Sequence, residues 1–541
     1  TTRINPPNAV MEAVWAVAIA VRAVVGLWEY SGAGQPPMFG DFEAQRHWME
    51  VTTSLPLGDW YRNTTQNDLL YWGLDYPPLT AYVSYAFGRV GALLVPELVE
   101  LRESRGHESV EGKVFMRCTV LLCDAVLFIP VMRWVCGLLR ESRAKEKGKG
   151  GGTERGKGSQ YVYVLSCLLL PGLLLIDHGH FQYNGVCLAL SLLGLSLVSR
   201  DWDILGSVCF CLSLNFKQMS LYYAPVFFCH LLRKCLTRRT VLSRLLAVVW
   251  LGITVVAVFI LLWAPFCLYA SDSDSCGDAL LQVLHRQFPF SRGIFEDKVA
   301  NIWYSLSVLV DLRALPQPQL LLSSLGLTLA LLAPPCWHLL THDASFQGLL
   351  LALVNSSLAF FLASFQVHEK SVLLVLAPAA PLVLLDPLFF GWVQLLGCFT
   401  MFPLLRKDGL VIPYLACCVL YACLLQLQDS RGDGLSLGNG GFIRNQVSEK
   451  SAVAQGWGVN CSGVLLHPWL RVALVLLSCL GMAVLHTGEA FLPPPRHLPH
   501  LYPALFSIFG ALNLIAIYAR CVCLQWASPL RSPAGEKLKT S

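Results

Sequence analysis

Long apolar runs constrain the fold of this chain more than any other feature of its sequence. They recur along all 541 residues, and many approach or exceed the ~20 mostly apolar residues that a helix needs to cross a bilayer. Hydrophobic residues make up 55% of the chain and charged residues only 14%, whereas a soluble protein carries about 25% charged residues. This composition argues against a disordered chain and against an ordinary soluble enzyme. We predict an all-α integral membrane protein with about 14 transmembrane helices. The candidate spans are 11–28, 114–139, 161–176, 184–199, 203–216, 219–232, 241–265, 317–338, 346–365, 371–386, 388–405, 410–427, 465–486 and 501–526.

Basic residues concentrate in two loops, which set the expected orientation. The segments 140–157 and 233–244 are rich in lysine and arginine, and the positive-inside rule puts both in the cytosol. The loops 29–113 and 266–316 and the stretch 366–370 then lie on the opposite face. A net charge of only +5, with no basic stripe, argues against nucleic acid as a partner.

Two apolar stretches in these opposite-face loops are too short to span. We interpret 76–87 and 302–312 as helices that lie in the membrane interface. The 20 cysteines include no C-x-x-C pair, and few of them fall in the opposite-face loops, so we expect neither a cysteine-based zinc site nor a disulfide framework.

The first polar motif, GDFEAQRHW at 40–48, opens a helix in the first long loop. Helical spacing puts Asp41 and Trp48 on one face, whereas Glu43 and Arg46 lie on another. An acid flanked by aromatic residues at a membrane surface is a candidate general base, and we also expect partial burial to raise its pKa. An amphipathic helix with a solvated charged face fits the same spacing, so both interpretations stay open here.

The second motif, 71–80, is rich in aromatic residues and contains one acid. Asp75 precedes the interfacial helix, where it either caps the helix or takes part in catalysis. Trp72 and Tyr76 belong either to an aromatic belt at the membrane interface or to a surface that stacks on sugar rings. Composition does not separate these alternatives.

The third motif, 177–184, combines an aspartate with two histidines. His178 and His180 are two residues apart, a spacing that does not suit two metal ligands on one helix, and a third firm ligand is missing. We therefore favour hydrogen bonding to a polar ligand, by His180 and Gln182, over metal binding.

The fourth and fifth motifs, 288–303 and 365–371, carry cations beside apolar runs. Ionisable residues beside or within spans are costly and are functional candidates by default. His368 and Lys370 could contact a lipid phosphate, and simple snorkelling at the end of a span is the alternative, particularly for Lys370.

Together, in this order over roughly 29–420, the five motifs resemble one family. They are similar to the endoplasmic-reticulum glucosyltransferases that use dolichyl-phosphate glucose, members of the GT-C superfamily and of glycosyltransferase family 57. The family has two sister activities, which add the first and the second glucose. The strings at 40–48 and 295–301 resemble the first-glucose enzyme, and the second-glucose enzyme remains the alternative.

This resemblance implies a fold and a reaction. Residues 1–340 would form a catalytic GT-C transmembrane module, and 341–541 a C-terminal module that contributes the motif 364–371. Glucose would move from dolichyl-phosphate glucose to the terminal mannose of dolichyl-diphosphate-linked Man9GlcNAc2. The new α-1,3 linkage would form with inversion, without cofactor or metal, on the lumenal face of the endoplasmic-reticulum membrane. The competing class is a polytopic lipid or sugar transporter, for which internal repeats, often present in such proteins, are not evident here.

The resemblance also suggests roles for individual residues. Asp41 would be the base that takes the acceptor proton, with Asp75 as a less favoured alternative. His368, helped by Lys370 and Arg292, would stabilise the charge on the leaving phosphate. The expected substrate-binding residues are Glu43, Arg46, Trp72, Asp75, Tyr76, His180 and Gln182.

Overall fold

The computed structural model describes residues 6–146, 154–270, 275–288, 298–431 and 468–531. Within these ranges the regular secondary structure is helical, and β structure is limited to an isolated bridge between Ala344 and Leu530. The predicted all-α class is therefore confirmed. The α-helices are α1 Pro6–Val25, α2 Asp41–Ser54, α3 Pro78–Leu94, α4 Val110–Cys123, α5 Ile129–Glu146, α6 Glu154–Leu168, α7 Pro171–Leu173, α8 Asn184–Ser199, α9 Asp203–Phe216, α10 Ala224–Leu236, α11 Val241–Leu268, α12 Cys276–Gln287, α13 Ile302–Ser307, α14 Gln317–Thr341, α15 Phe346–Ala363, α16 Leu373–Ala379, α17 Pro387–Thr400, α18 Phe402–Lys407, α19 Val411–Arg431, α20 Pro468–Phe491 and α21 Leu501–Trp526.

Eight helical stretches in the described part of the chain are long and apolar enough to cross a membrane, and three further apolar helices are shorter. The polytopic membrane class is thus confirmed, whereas the predicted number of about 14 spans is not. Some predicted spans are interrupted. The run 371–386, for example, divides into a 3-10 helix at Glu369–Val372, helix α16 and a second 3-10 helix at Pro381–Leu384. Proline lacks the backbone N–H that a regular helix requires, which explains breaks of this kind.

The first long loop contains two helices that pack against each other, α2 and α3. Helix α3 covers the predicted interfacial stretch 76–87 and begins with a proline at its first turn. Its N-cap is Pro77, which makes no side-chain capping bond, so the capping role considered for Asp75 is not what the structure shows. The second predicted interfacial stretch, 302–312, forms the shorter helix α13.

Helix α2 is buried, although its sequence is strongly charged. Arg46 and Glu50 have no exposed side-chain surface, and Glu43 keeps only 4%. The Arg46 guanidinium lies 2.7 Å from carboxylate oxygens of both glutamates, and it also donates to the Leu98 carbonyl and the Ser104 hydroxyl. Burying charges is tolerated only when they are paired and hydrogen-bonded, as here. The interpretation of α2 as a helix with a solvated charged face is therefore wrong.

One disulfide, between Cys267 and Cys276, joins the end of α11 to the start of α12. The other cysteines of the described ranges are free, and many are buried as small apolar side chains. This single bridge was not anticipated from the sequence, although it does not amount to a disulfide framework.

Candidate active site

Three polar side chains from two distant segments of the sequence meet at Asp41, the first residue of α2. The Lys370 ammonium lies 2.6 Å from Asp41 Oδ2, and His180 Nε2 lies 3.0 Å from the same oxygen. The Gln182 amide also donates to Oδ2. Within the described part of the chain, these three groups leave Oδ1 as the carboxylate oxygen that remains available to a further ligand, and the Asp41 side chain keeps 24% of its surface exposed.

The position of Asp41 depends on a close backbone approach just before α2. A Cβ atom on Gly40 would lie 2.5 Å from the carbonyl carbon and oxygen of Ser31, so only glycine fits there. The Ser31 hydroxyl accepts a hydrogen bond from the Asp41 backbone N–H, and the Ser31 N–H donates to the His180 carbonyl. The start of α2 is thereby fixed to the segment that carries His180.

His180 lies in a π-helix at Leu174–Phe181, a rare conformation that is frequent at functional sites. The segment ends at Phe181, whose φ of 90° lies in the left-handed region, where a non-glycine residue costs about 1–3 kcal/mol. The two histidines of this motif contact different groups. His178 Nε2 lies 2.9 Å from Asp124, whereas His180 contacts Asp41. Among the residues that the structure describes, no group of three His, Cys, Asp or Glu side chains is arranged to hold a metal.

Asp41 and Lys370 form a partly exposed ion pair in which both groups are charged, with Lys370 the more buried of the two. Burial disfavours the charged form of Asp41, but the neighbouring Lys370 and His180 hold its pKa well below the ordinary value. Burial likewise disfavours the ammonium of Lys370, but Asp41 and Glu369 raise the pKa of this lysine above its usual value. The site therefore holds a carboxylate that stays ionised at physiological pH, beside a permanent cation.

His368 is the most exposed of the polar side chains around the site. Its side chain keeps 40% of its surface accessible, compared with 9% for Lys370 and 2% for His180. His368 Nδ1 lies 3.1 Å from the carboxylate of Glu369. Burial raises the pKa of Glu369, but the histidine outweighs this effect and brings the pKa down to about 2. An imidazole held in this way at the accessible edge is suited to contact an anion.

Aromatic residues of the second motif are held in place close to the site. The Trp48 indole N–H donates to the Trp72 carbonyl at 2.9 Å, and the rings of Trp48 and Tyr76 are 4.7 Å apart. The Tyr61 hydroxyl donates to the Tyr76 carbonyl at 2.7 Å. Trp72 and Tyr76 stay partly exposed. These contacts fix two ring surfaces next to the site, and their part in binding a substrate stays a prediction.

The remaining candidates lie around this centre rather than in it. Glu43 and Arg46 belong to the buried network of α2, where Glu43 also accepts a hydrogen bond from the Tyr71 hydroxyl at 2.7 Å. Asp75 is partly exposed, and its backbone carbonyl accepts a bond from the Gln218 amide. Arg292 lies outside the residues that the structure describes.

Two residues that sequence reasoning missed complete the arrangement. The buried Lys217 ammonium donates to Gln182 Oε1 at 2.9 Å and to Asn184 Oδ1 at 2.6 Å, which orients the Gln182 amide toward Asp41. Asp408 contacts the other ring nitrogen of His180, Nδ1. Lys217 lies between two predicted apolar spans, a position that marks a functional candidate. Asp408 follows two basic residues in what reads as an ordinary polar loop.

Comparison with known proteins gives consistent results. The model of the ALG6, ALG8 glycosyltransferase family matches residues 18–521. A chicken (Gallus gallus) protein named dolichyl pyrophosphate Man9GlcNAc2 alpha-1,3-glucosyltransferase is 43% identical over 506 residues, covering 92% of this chain and 93% of the relative. The mouse (Mus musculus) protein of the same name is 40% identical over 93% of this chain and 94% of its own length. The Saccharomyces cerevisiae protein of that name is 35% identical over 93% of this chain and 91% of its own.

Proposed function

The chain belongs to the ALG6, ALG8 glycosyltransferase family, and from this membership we propose that it transfers glucose in α-1,3 linkage to dolichyl-diphosphate-linked Man9GlcNAc2. Its similarity to relatives of that name extends over more than nine-tenths of both chains. Because the acceptor in these names carries no glucose, the first-glucose activity is favoured over that of the sister enzyme. The relatives are named as transferases, which argues against the transporter alternative.

The single observation that carries the mechanism is the contact between Asp41 and Lys370, 2.6 Å apart at an accessible edge. It brings together a carboxylate for the acceptor hydroxyl and a cation for an anionic leaving group. A lipid-linked sugar phosphate, dolichyl-phosphate glucose, is the donor that this pairing supports. Its phosphate needs stabilisation of developing charge more than protonation, and Lys370 and His368 are suited to supply it.

In the proposed reaction, Asp41 Oδ1 takes the proton of the acceptor hydroxyl while the acceptor oxygen bonds to the anomeric carbon of glucose. The bond from that carbon to the phosphate oxygen breaks on the opposite face, which inverts the configuration. Dolichyl phosphate leaves with the electron pair, next to Lys370 and His368. Attraction of Lys370 to the phosphate weakens its hold on Asp41, so that the carboxylate becomes more basic when the donor is bound.

We further propose that this chemistry needs no metal or cofactor, since protein cations serve the leaving group, and that it takes place on the lumenal face of the endoplasmic-reticulum membrane. The charge argument from the two basic loops supports this placement. Binding of both lipid-linked substrates at one membrane face would supply much of the rate enhancement through proximity.

The test is a transfer assay with the purified full chain in liposomes. Synthetic dolichyl-phosphate glucose is offered with acceptors that carry either no glucose or one, and the released oligosaccharides are sized by mass spectrometry. We expect one added hexose on the glucose-free acceptor only. Extension of the monoglucosylated acceptor alone would assign the sister activity, and glucose-lipid flux without transfer to either acceptor would refute the proposal.

A further inference from the structure

A second carboxylate lies behind the histidine of the site, on the side away from the base. We propose that Asp408 is a positioning residue for the transfer reaction, which acts through His180 to hold the base Asp41 in place. This inference rests on the proposed function. Asp408 contacts neither Asp41 nor the acceptor hydroxyl in this arrangement, so the contact through which it positions Asp41 is the one with the imidazole.

The His180 ring bridges the two carboxylates with its two nitrogens. Nδ1 contacts Asp408 Oδ2, and Nε2 lies 3.0 Å from Asp41 Oδ2. An ionised carboxylate only accepts hydrogen bonds, so an ionised Asp408 selects the ring form that carries a proton on Nδ1. The His180 and Asp408 side chains keep only 2% and 4% of their surface exposed. Loss of their contact would therefore leave buried polar atoms without a hydrogen-bond partner, which is energetically unfavourable.

The position of Asp408 is set by the way α18 ends. The Leu410 N–H donates to the Leu405 carbonyl at 2.8 Å, and the Gly409 N–H donates to the Arg406 carbonyl at 3.1 Å. Gly409 has a φ of 72°, so these bonds form a Schellman motif with Asp408 as the C-cap residue. The backbone that carries the carboxylate is therefore rigidly defined.

The same turn docks directly on the π-helix that carries His180. Leu410 is fully buried, and a Cβ atom on Gly179 would lie 2.9 Å from its Cδ1 atom. The turn thus contacts two consecutive residues of the π-helix, with Leu410 against Gly179 and Asp408 against His180. This double contact fixes both the direction of the His180 imidazole and the position of Asp408.

Charged side chains of both signs lie around the His180–Asp408 pair. On the side of the base, His180 faces Asp41 and Lys370, whose ammonium lies 3.3 Å from Nε2. The Arg117 guanidinium donates to the neighbouring Gly179 carbonyl at 2.8 Å. No further carboxylate among the described residues contacts the ring, so Asp408 alone supplies the acceptor for Nδ1.

A surface cavity of about 590 Å³ reaches Asp408 from outside. Its charged lining includes Glu29, Glu108, Lys113 and Lys407 besides Asp408 itself. Its described lining includes Asp408 but neither His180 nor Asp41, so the cavity meets the pair at its Asp408 end. In Asp408→Ala it offers a small carboxylate in solution a route to the position that the Asp408 side chain leaves.

This geometry gives a specific experiment in the transfer assay. In Asp408→Asn and Asp408→Ala, we expect kcat to fall about 10- to 100-fold while the KM for the donor stays within about twofold, because an orienting partner is lost but no substrate contact is. Asp408→Glu is expected to recover part of kcat. Added formate is expected to recover part of the activity of Asp408→Ala and to leave Asp408→Glu unchanged.

The control is Lys407→Gln, an exposed residue of the same cavity and the neighbour of Asp408, which should match the wild type. Unchanged kcat in Asp408→Asn would overturn the role of Asp408, as would a loss that neither glutamate nor formate restores, since a purely structural defect behaves in that way. If the wild-type chain transfers glucose to neither acceptor, the proposed function fails, and that outcome is distinct from an active wild type with an unaffected variant.

Discussion

At the scale of single residues, the site is organised around one carboxylate oxygen. Asp41 Oδ2 contacts Lys370, His180 and Gln182, and two of these, His180 and Gln182, are held by a further partner. Lys217 fixes the Gln182 amide, and Asp408 fixes the imidazole. Such a chain of orienting bonds keeps the second oxygen of Asp41 in a defined direction, which is the main requirement for a base that acts on a bound hydroxyl.

The substitution Asp41→Asn tests the base directly. We expect kcat to fall about 10²- to 10⁴-fold, the usual contribution of general-base catalysis, because the amide cannot take the acceptor proton. The KM for the donor should change little. Asp68→Asn serves as the control, since Asp68 is an exposed acid in the same loop. Near-normal turnover of Asp41→Asn in the transfer assay would show that Asp41 is not the base.

The pH profile of kcat/KM, which reports the free enzyme, tests the Asp41–Lys370 pair. Because Lys370 and His180 outweigh burial and hold the pKa of Asp41 well below its ordinary value, the base stays ionised as the pH falls, and kcat/KM should show no acid limb above about pH 5. In Lys370→Met the cation is lost, and burial then raises the pKa. The acid limb should therefore move up by about 1–3 pH units, besides any loss of leaving-group stabilisation. The exposed residue Lys407, substituted in Lys407→Met, provides the control. An identical acid limb in Lys370→Met and the wild type would contradict the ion pair.

At the scale of elements, close backbone approaches decide where the functional groups lie. The π-helix at Leu174–Phe181 turns His178 and His180 toward different partners, and α2 starts where Gly40 meets Ser31. Neither the extra residue of a π turn nor the contact partner of a glycine leaves a periodic signal in the sequence. The motifs could therefore be located along the chain, while the direction of their side chains could not.

Gly40→Ala tests the approach of α2 to Ser31. The added methyl group would lie 2.5 Å from the Ser31 carbonyl, so the start of α2 must move away from His180. Overpacking of this kind costs about 1–3 kcal/mol of stability, and the displaced Asp41 should lower kcat more than the fall in melting temperature explains. Gly326→Ala in α14 is the matched control, because no atom lies within 4 Å of its Cβ position. Equal melting temperature and kcat for both variants would show that the approach is not required.

At the scale of the whole molecule, contacts between distant segments explain which parts of the site were predictable. Asp41, His180, Gln182 and Lys370 were expected from motifs that each occupy a few consecutive residues. Their meeting point was not, because Asp41 and Lys370 are 329 positions apart. Asp408 was missed altogether, since its partner His180 is 228 positions away and nothing local distinguishes it from a loop residue. The apolar runs predicted the membrane class, whereas prolines within them made the number of spans unpredictable.

One long helix connects the region of the site to a basic loop. Helix α11 begins beside the basic cluster 233–244, and its 28 residues span about 42 Å at 1.5 Å per residue. It ends at the disulfide to α12, whose Arg286 donates to the Gly73 and Leu74 carbonyls of the second motif. A helix longer than the ~30 Å hydrocarbon core thus connects the two regions, which supports the proposal that they lie on opposite faces of a bilayer.

Glycosylation mapping tests this orientation. Asn63-Thr64-Thr65 is an exposed acceptor sequence in the loop of the site, and on the lumenal face Asn63 should carry a glycan that an endoglycosidase removes. The matched variant Arg238→Asn creates an acceptor sequence with Arg239 and Thr240 in the exposed basic cluster, which should stay unmodified in an Asn63→Gln background. Both chains are expressed in microsomes and compared by gel mobility before and after enzyme treatment. A glycan at 238 with none at 63 would invert the orientation and place Asp41 on the cytosolic face, where the proposed lumenal reaction cannot occur.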